Sequence, residues 1–286
     1  MSTRGRSVPT ASTRAELRAT VEAWRREGLR VALVPTMGAL HAGHLALAQA
    51  ARAAADRTVV SIFVNPAQFA PHEDFARYPR NLEQDRLTLE RVGSADLIYA
   101  PEPGEMYPEG FATRITMDGP ARGLETDFRP HFFSGVTTVV AKLFLQCRPD
   151  FAMFGEKDYQ QLLVVRQLSR DLDIGVDVTG VPTVREDDGL ALSSRNAYLG
   201  QSQRGIAAAL NRVLDHVASR VKTGISIPQA EAEGAAELIS AGFDRVDYVA
   251  VRDAQTLAPL RHVSGPARVL AASRIGSVRL IDNKAV

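Results

Sequence analysis

The chain has 286 residues, 45% of them hydrophobic and 23% charged, with a formal net charge of +1. That length allows one large or two medium domains around real cores, and the near-neutral balance excludes a broad nucleic-acid-binding face. No apolar run reaches the roughly 18 residues of a membrane span, and the N-terminus lacks the charged-then-apolar layout of a secretion signal. Residues 1 to about 10 are small and polar and are expected to be loose. Ser12 can cap a helix running to about Glu27, with Gly28 as its stop; the arginines before residue 31 mix with Glu16, Glu22 and Glu27, as on a solvated helix face. Val31 to Val34 is a short buried strand, Gly43 to Ala55 an Ala-rich helix, and Thr58 to Val64 a β-branched buried strand. Asn81 to Val92 is amphipathic helix, Ala95 to Tyr99 strand, and Gly135 to Gln146 helix. The single cysteine, Cys147, follows that apolar helix, has no internal disulfide partner, and reads as inert core in a reducing cytoplasm. Phe151 to Phe154 is strand, Asp158 to Asp171 helix, and Ile174 to Val178 strand.

This alternation of apolar strand and helix is the pattern of an α/β fold, a doubly wound, Rossmann-like parallel sheet. After about residue 182 the pattern changes: Gln203 to Lys222 and Pro228 to Ala241 read as helices, then Arg245 to Val251, Ala267 to Ala272 and Val278 to Ile281 as strands. A smaller α+β domain with antiparallel pairing is expected there, giving domains at 1–183 and 184–286. Ligands on doubly wound sheets bind beyond the carboxyl ends of the strands. His41 and His44, Asn65 to Gln68, and Gly155 to Asp158 all follow strand ends and should converge in one crevice.

Three stretches carry chemistry. In Val34-Pro35-Thr36-Met37-Gly38-Ala39-Leu40-His41-Ala42-Gly43-His44, two imidazoles three apart open a helix, where unpaired N–H groups favour an anion. Neutral or partly protonated imidazoles can donate to phosphate oxygens there, and Gly43 leaves room for a nucleotide to approach. The pair alone could equally be solvated caps or two metal ligands, although no third Cys or His stands at suitable spacing. In Phe154-Gly155-Glu156-Lys157-Asp158, a lysine suited to phosphate precedes a carboxylate that could hold a ribose hydroxyl or simply cap the helix. In Gly189-Leu190-Ala191-Leu192-Ser193-Ser194-Arg195, two hydroxyls and a guanidinium suit a polyphosphate on a mobile flap, or form a plain Ser-rich turn.

Together these stretches resemble a known pattern. His41-Ala42-Gly43-His44 is similar to the HxGH signature of the nucleotidyltransferase superfamily. Leu192-Ser193-Ser194-Arg195 is similar to its second, mobile signature, with the usual leading lysine absent. More narrowly, VPTMGALHAGH at 34–44, SIFVNPAQF at 61–69, FGEKDYQQ at 154–161, VPTVRE at 181–186 and DGLALSSRN at 188–196 resemble, in order, the pantoate-β-alanine ligase family.

That resemblance implies a ligase that uses ATP with Mg²⁺ to activate pantoate as its adenylate, then joins it to β-alanine, releasing AMP and pyrophosphate. It implies a cytoplasmic homodimer with small-molecule partners and neither nucleic acid nor membrane. It assigns Met37, Gly38, Ala39, Leu40, His41, Ala42, Gly43 and His44 to the ATP site, with Gly155, Glu156, Lys157, Asp158, Val184, Leu192, Ser193, Ser194 and Arg195. Catalytic roles fall to His41, His44, Lys157, Ser193, Ser194 and Arg195, with His44 the usual proton donor; Gly155 and Asp158 hold the ribose, and the Val184 backbone the adenine edge. Gln68, Gln161, Asn65, Pro35 and Met37 would serve pantoate or β-alanine. No protein ligand for Mg²⁺ stands out, and Asp85 is only a guess. One departure is plain: where the family carries Arg-Pro-x-His-Phe-x-Gly-Val, this chain has Arg129-Pro130-His131-Phe132-Phe133-Ser134-Gly135-Val136, so Phe132 fills the histidine's place and His131 is expected on a surface loop. Arg129 would lie near the triphosphate or at a subunit interface. Competing readings are a nucleotidyl- or cytidylyltransferase, and a nucleotide-sensing or RNA-binding module without catalysis.

Overall fold

The structure is a computed structural model and describes residues 7–71 and 73–286. The first group of elements is β1 (Thr10–Ala11), α1 (Arg14–Arg26), β2 (Val31–Thr36), α2 (Ala42–Ala54), β3 (Arg57–Ile62), α3 (Leu82–Val92), β4 (Leu97–Tyr99), α4 (Pro103–Met106), α5 (Glu125–Phe128), α6 (Phe132–Cys147), β5 (Phe151–Gly155), α7 (Tyr159–Asp171) and β6 (Asp177–Val181). The second is α8 (Gln201–Ala207), α9 (Ala209–Lys222), α10 (Ile227–Ser240), β7 (Arg245–Asp253), β8 (Ala267–Ile275) and β9 (Val278–Ala285).

The first six strands form one parallel sheet in the order β1-β4-β3-β2-β5-β6. Side chains alternate across it: Val31 and Leu33 join α1, α6 and α7 on one face, while Ala32 and Val34 join α2 and α3 on the other. Both faces are covered, which is why these strands read as continuous apolar runs. The strand order reverses at β2, with β3 on one side and β5 on the other, so the crevice of a doubly wound sheet opens beyond Thr36 and Gly155. The smaller unit is an antiparallel sheet, β7-β8-β9, with α9 and α10 on one face. Its other face sets Tyr248, Ala250 and Leu270 against Leu163 and Tyr159 of α7, so the two sheets are joined through α7.

Several expectations shift. The start of the chain is not wholly loose: beyond the undescribed residues 1–6, Thr10 and Ala11 pair with Ile98 and Tyr99 and form the sheet edge. Thr13 rather than Ser12 caps α1, because Thr13-x-x-Glu16 closes a reciprocal capping box. The last parallel strand lies three residues later than Ile174 to Val178, since Asp173 and Gly175 take left-handed conformations while leaving α7. The single long helix expected from Gln203 breaks into α8 and α9 at Ala208, where ψ of −21° tightens the turn toward 3₁₀ geometry. Leu190 packs in the core of the smaller unit, so the 188–196 stretch travels with that unit. Cys147 is buried and its thiol is pushed up to about 12 by desolvation. Among the described residues, no helix is long and apolar enough to cross a membrane.

Candidate active site

The crevice at the switch point is a cavity of about 510 Å³, within the range of small-molecule sites. Its floor is the loop from β2 into α2. Gly38 has φ +82°, and a Cβ there would stand 2.9 Å from Asp85 Oδ2, so only glycine fits. Ala39 follows in the left-handed region at φ +51°, a strained place for a side-chain-bearing residue. Asp85, 4% exposed on α3, holds the strain: its two oxygens accept the N–H groups of Ala39 (3.0 Å) and Leu40 (2.8 Å). Asp85 is therefore the anchor of the loop, with both oxygens engaged.

The imidazoles are tied down the same way. His41 is the N-cap of α2, and its Nδ1 accepts the Gly43 N–H at 3.2 Å; His44 Nδ1 accepts the His41 N–H at 3.3 Å. A Cβ on Gly43 would meet His41 Cε1 at 2.9 Å, so this glycine makes room for the imidazole while also lining the cavity. The two rings lie side by side, tilted by 38°, with centroids 4.1 Å apart. With both Nδ1 atoms accepting, each neutral ring carries its proton on Nε2 and presents it as a donor. Burial drives His41 down to about 4, with the Lys157 ammonium pushing the same way. Burial, His41 and Lys157 together drive His44 down to about 3. The rings are therefore neutral donors in the free protein, not partly protonated ones.

Lys157 enters from the carboxyl end of β5, across the cavity from α2. Asp158 sits at the N-cap of α7 but makes no capping hydrogen bond; its carboxylate lies 3.7 Å from Lys157 Nζ and faces the cavity. Capping does not explain it. Gln161 lines the cavity and makes no hydrogen bond among the described residues, whereas Gln160 is consumed by Glu125, Pro120 and Gly123. On the opposite wall, Gln68 Oε1 accepts from Asn65 Nδ2 at 2.9 Å, leaving its Nε2 group for a ligand. An apolar wall of Phe63, Phe133, Val136, Val139 and Val140 completes this end.

The cavity is thus lined by Pro35, Met37, His41, Gly43, His44, Gln68, Gly155, Lys157, Asp158, Gln161, Val184, Leu192, Ser193, Ser194 and Arg195. Other residues assigned to the site stand back from it. Gly38, Ala39, Leu40 and Ala42 shape the loop beneath. Asn65 is 1% exposed and fully used: it accepts from Tyr107 Oη (2.8 Å) and the Ala67 N–H, and donates to Gln68 and the Gly135 carbonyl. It positions Gln68. Glu156 turns toward Arg268 of the smaller unit at 3.2 Å. The Val184 carbonyl accepts the Leu192 N–H, leaving its own N–H as the free edge.

The flap is clasped rather than open. Arg195 makes a two-pronged pair with Asp74 (3.0 Å and 3.0 Å), and Ser194 Oγ accepts from Tyr78 Oη at 3.4 Å, while Ser193 caps the turn that follows. Arg129 is engaged within the chain. It pairs with Glu73 at 2.7 Å, donates to the Gln68 carbonyl, and stacks 4.0 Å over Phe132. Phe132 therefore replaces the family's histidine by a cation–π support for the Gln68 turn. His131, expected on a surface loop, is instead half-buried at the start of α6. Sequence reasoning missed Asp74, Tyr78 and the residues of β9 that reach this site; the polar pair Asp282-Asn283 directly after the apolar strand could have drawn notice to β9, while nothing in the sequence marks Asp74 or Tyr78.

Comparison with known proteins now decides the family. The family profile described as Pantoate-beta-alanine ligase matches residues 9–285. The chain belongs to this family. A pantothenate synthetase from Mesorhizobium japonicum is 58% identical over 269 residues, 94% of either chain. The crystal structure of pantothenate synthetase from Thermus thermophilus superposes with a TM-score of 0.90 at 50% identity, covering 97% of this chain and 99% of that one. The pantoate-beta-alanine ligase of Francisella tularensis, crystallised with "Beta-gamma ATP" and β-alanine, gives a TM-score of 0.82 at 32% identity, covering 97% of each. Within the pantoate-β-alanine ligase fold, the walls of this cavity are contributed by both units, Val278 to Asn283 among them.

Proposed function

We propose that this protein condenses (R)-pantoate with β-alanine to form pantothenate, driven by cleavage of ATP to AMP and pyrophosphate. The observation that carries the proposal is one cavity holding the Nε2 donors of His41 and His44, the Lys157 ammonium, the free Nε2 group of Gln68 and the unspent amide of Gln161. The triphosphate lies across the N-terminus of α2, where N–H groups, imidazoles and Lys157 meet its charge. Gln68 and Gln161 hold the hydroxyls of pantoate, and the apolar wall takes its methyl groups. A pantoate carboxylate oxygen attacks the α-phosphorus in line, the bridging oxygen leaves with pyrophosphate, and a mixed anhydride remains. The β-alanine nitrogen, once deprotonated, attacks the acyl carbon; AMP leaves and the amide forms.

The protein does little acid–base work in this scheme. It aligns reactants and stabilises charge on phosphate oxygens, with His44 as a neutral donor. Asp158 and Gly155 serve the ribose, and the Val184 N–H the adenine edge. Among the described residues no group of three His, Cys, Asp or Glu is arranged to hold a metal, so Mg²⁺ would travel with the triphosphate and water. The reading includes a homodimer acting in the cytoplasm, supported by family membership and by a lone buried cysteine.

The test mixes purified protein with ATP, Mg²⁺, pantoate and β-alanine. AMP must appear only when both acids are present; AMP formed at the same rate without β-alanine would overturn the reading, and nucleotide retained in the product would favour a transferase.

A further inference from the structure

Two adjacent polar residues on the smaller unit's last strand are buried at the edge of the cavity. Asp282 and Asn283 of β9 are each 4% exposed. Asn283 Nδ2 donates to the carbonyls of Glu156 (2.8 Å) and Lys157 (2.9 Å), the two residues of the turn that presents the Lys157 ammonium. Its Oδ1 accepts from Arg268 at 2.6 Å, and Arg268 also reaches Glu156. Asp282 faces the flap: its oxygens take Arg185 at 2.6 Å and 2.9 Å, and Arg185 donates in turn to the Gly189 carbonyl. The two are bound to each other, since Asp282 Oδ1 also accepts the Asn283 N–H at 2.7 Å. A buried amide and carboxylate are costly unless every polar atom is used, and here every one is.

We infer that Asp282 and Asn283 are positioning residues that fix the Lys157 turn and the 185–195 flap relative to one another, so that the lysine and the flap address the same phosphates in register. The inference rests on the proposed role of Lys157 at the triphosphate. Asn283 touches no reacting atom; it acts through Lys157. Without its two donors, the carbonyls of residues 156 and 157 lose their partners and the ammonium is no longer fixed. Displacement of a catalytic group by about 1 Å costs up to about 10²-fold in rate.

A double-mutant cycle reads this directly. Asn283→Leu removes both donors at similar volume, without adding charge, and should lower kcat for adenylate formation by about 10–10²-fold. In the Lys157→Ala background the same change should cost no more than about 2–3-fold, because its effect runs through a side chain already gone. A merely structural residue would give losses that multiply, and so would overturn the inference, as would a wild-type rate in Asn283→Leu. Should the leucine variant not fold, Asn283→Ser, which keeps one donor, runs the same cycle: a loss that vanishes in the Lys157→Ala background supports the inference, and losses that multiply overturn it. In either folded variant, the His41 and His44 rings should titrate at higher pH by NMR as the lysine charge recedes; unchanged titration counts against the idea. A wild-type protein that makes no AMP sinks the ligase reading and this inference with it, whereas an active wild type with multiplying losses sinks this inference alone.

Discussion

The β2–α2 loop and the 185–195 flap reach the same cavity by opposite means. The loop is built from backbone bonds: Asp85 grips two N–H groups, the imidazoles accept two more, and the rings are neutral. Nothing in it has to move for a phosphate to arrive. The flap is held by side chains that can change partners, Arg195 on Asp74 and Ser194 on Tyr78. One region is a fixed set of donors. The other is a clasp whose charged group is paired with a carboxylate at the cavity wall.

Removing the donors of the fixed loop, or of the Lys157 turn that shares its cavity, should cost most. His44→Ala and Lys157→Ala each remove a donor aimed at developing charge, and turnover should fall by about 10²–10³-fold in each. Near-wild-type turnover in both would remove them from the mechanism. Next comes Asp85→Ala, which touches no substrate but strands the N–H groups of Ala39 and Leu40. Stability measured by urea denaturation should drop by about 1–3 kcal/mol per stranded donor. Turnover should fall by up to about 10²-fold as the imidazoles shift. If activity survives intact, the loop does not depend on its anchor.

The clasp should respond more gently. Asp74→Asn weakens the half-buried pair that holds Arg195 without removing the guanidinium, so ATP should bind more tightly by calorimetry, by at least the roughly 2–5-fold that an exposed pair would give. A tenfold weakening would instead make Asp74 part of the nucleotide site. The subtlest contrast is in pH. Folded, His41 and His44 sit near 4 and 3, against an ordinary 6.5, so the unfolded chain takes up protons first. Their contribution to stability is full above pH 6.5 and is lost as pH falls toward 4 and 3. Melting temperature should decline across that window, less steeply in His44→Gln. Ring nitrogens observed by NMR in the free protein should stay neutral, with the proton on Nε2, down to about pH 5; a ring that titrates near 6.5 would contradict the geometry.

The parallel sheet was legible because buried strands and amphipathic helices announce themselves by period, and three of the site's walls because their chemistry is local in sequence. His41 and His44, Lys157 and Asp158, and Ser193 to Arg195 each sit within one short stretch beside a strand or turn. What stayed hidden was the pairing between stretches. Asp74 with Arg195, Asp85 with the Ala39 N–H, and Asn283 with the Lys157 carbonyl join residues 121, 46 and 126 positions apart. Alone, each partner is an ordinary polar residue, and only folding makes it the other half of something. Asn65 shows the converse: its place beside Gln68 made it look like a ligand contact, but four hydrogen bonds had already used it.

The orientation of the two imidazoles has one more consequence. For a zinc or copper ion to bind either ring at the cavity surface, the hydrogen on Nε2 would have to move to Nδ1, where a backbone N–H already points. Capture of a stray soft cation would therefore mean unpicking the start of α2. A pair that looks like the makings of a chelator is wired against becoming one, and the protein should tolerate trace transition metals that poison sites with open imidazole lone pairs.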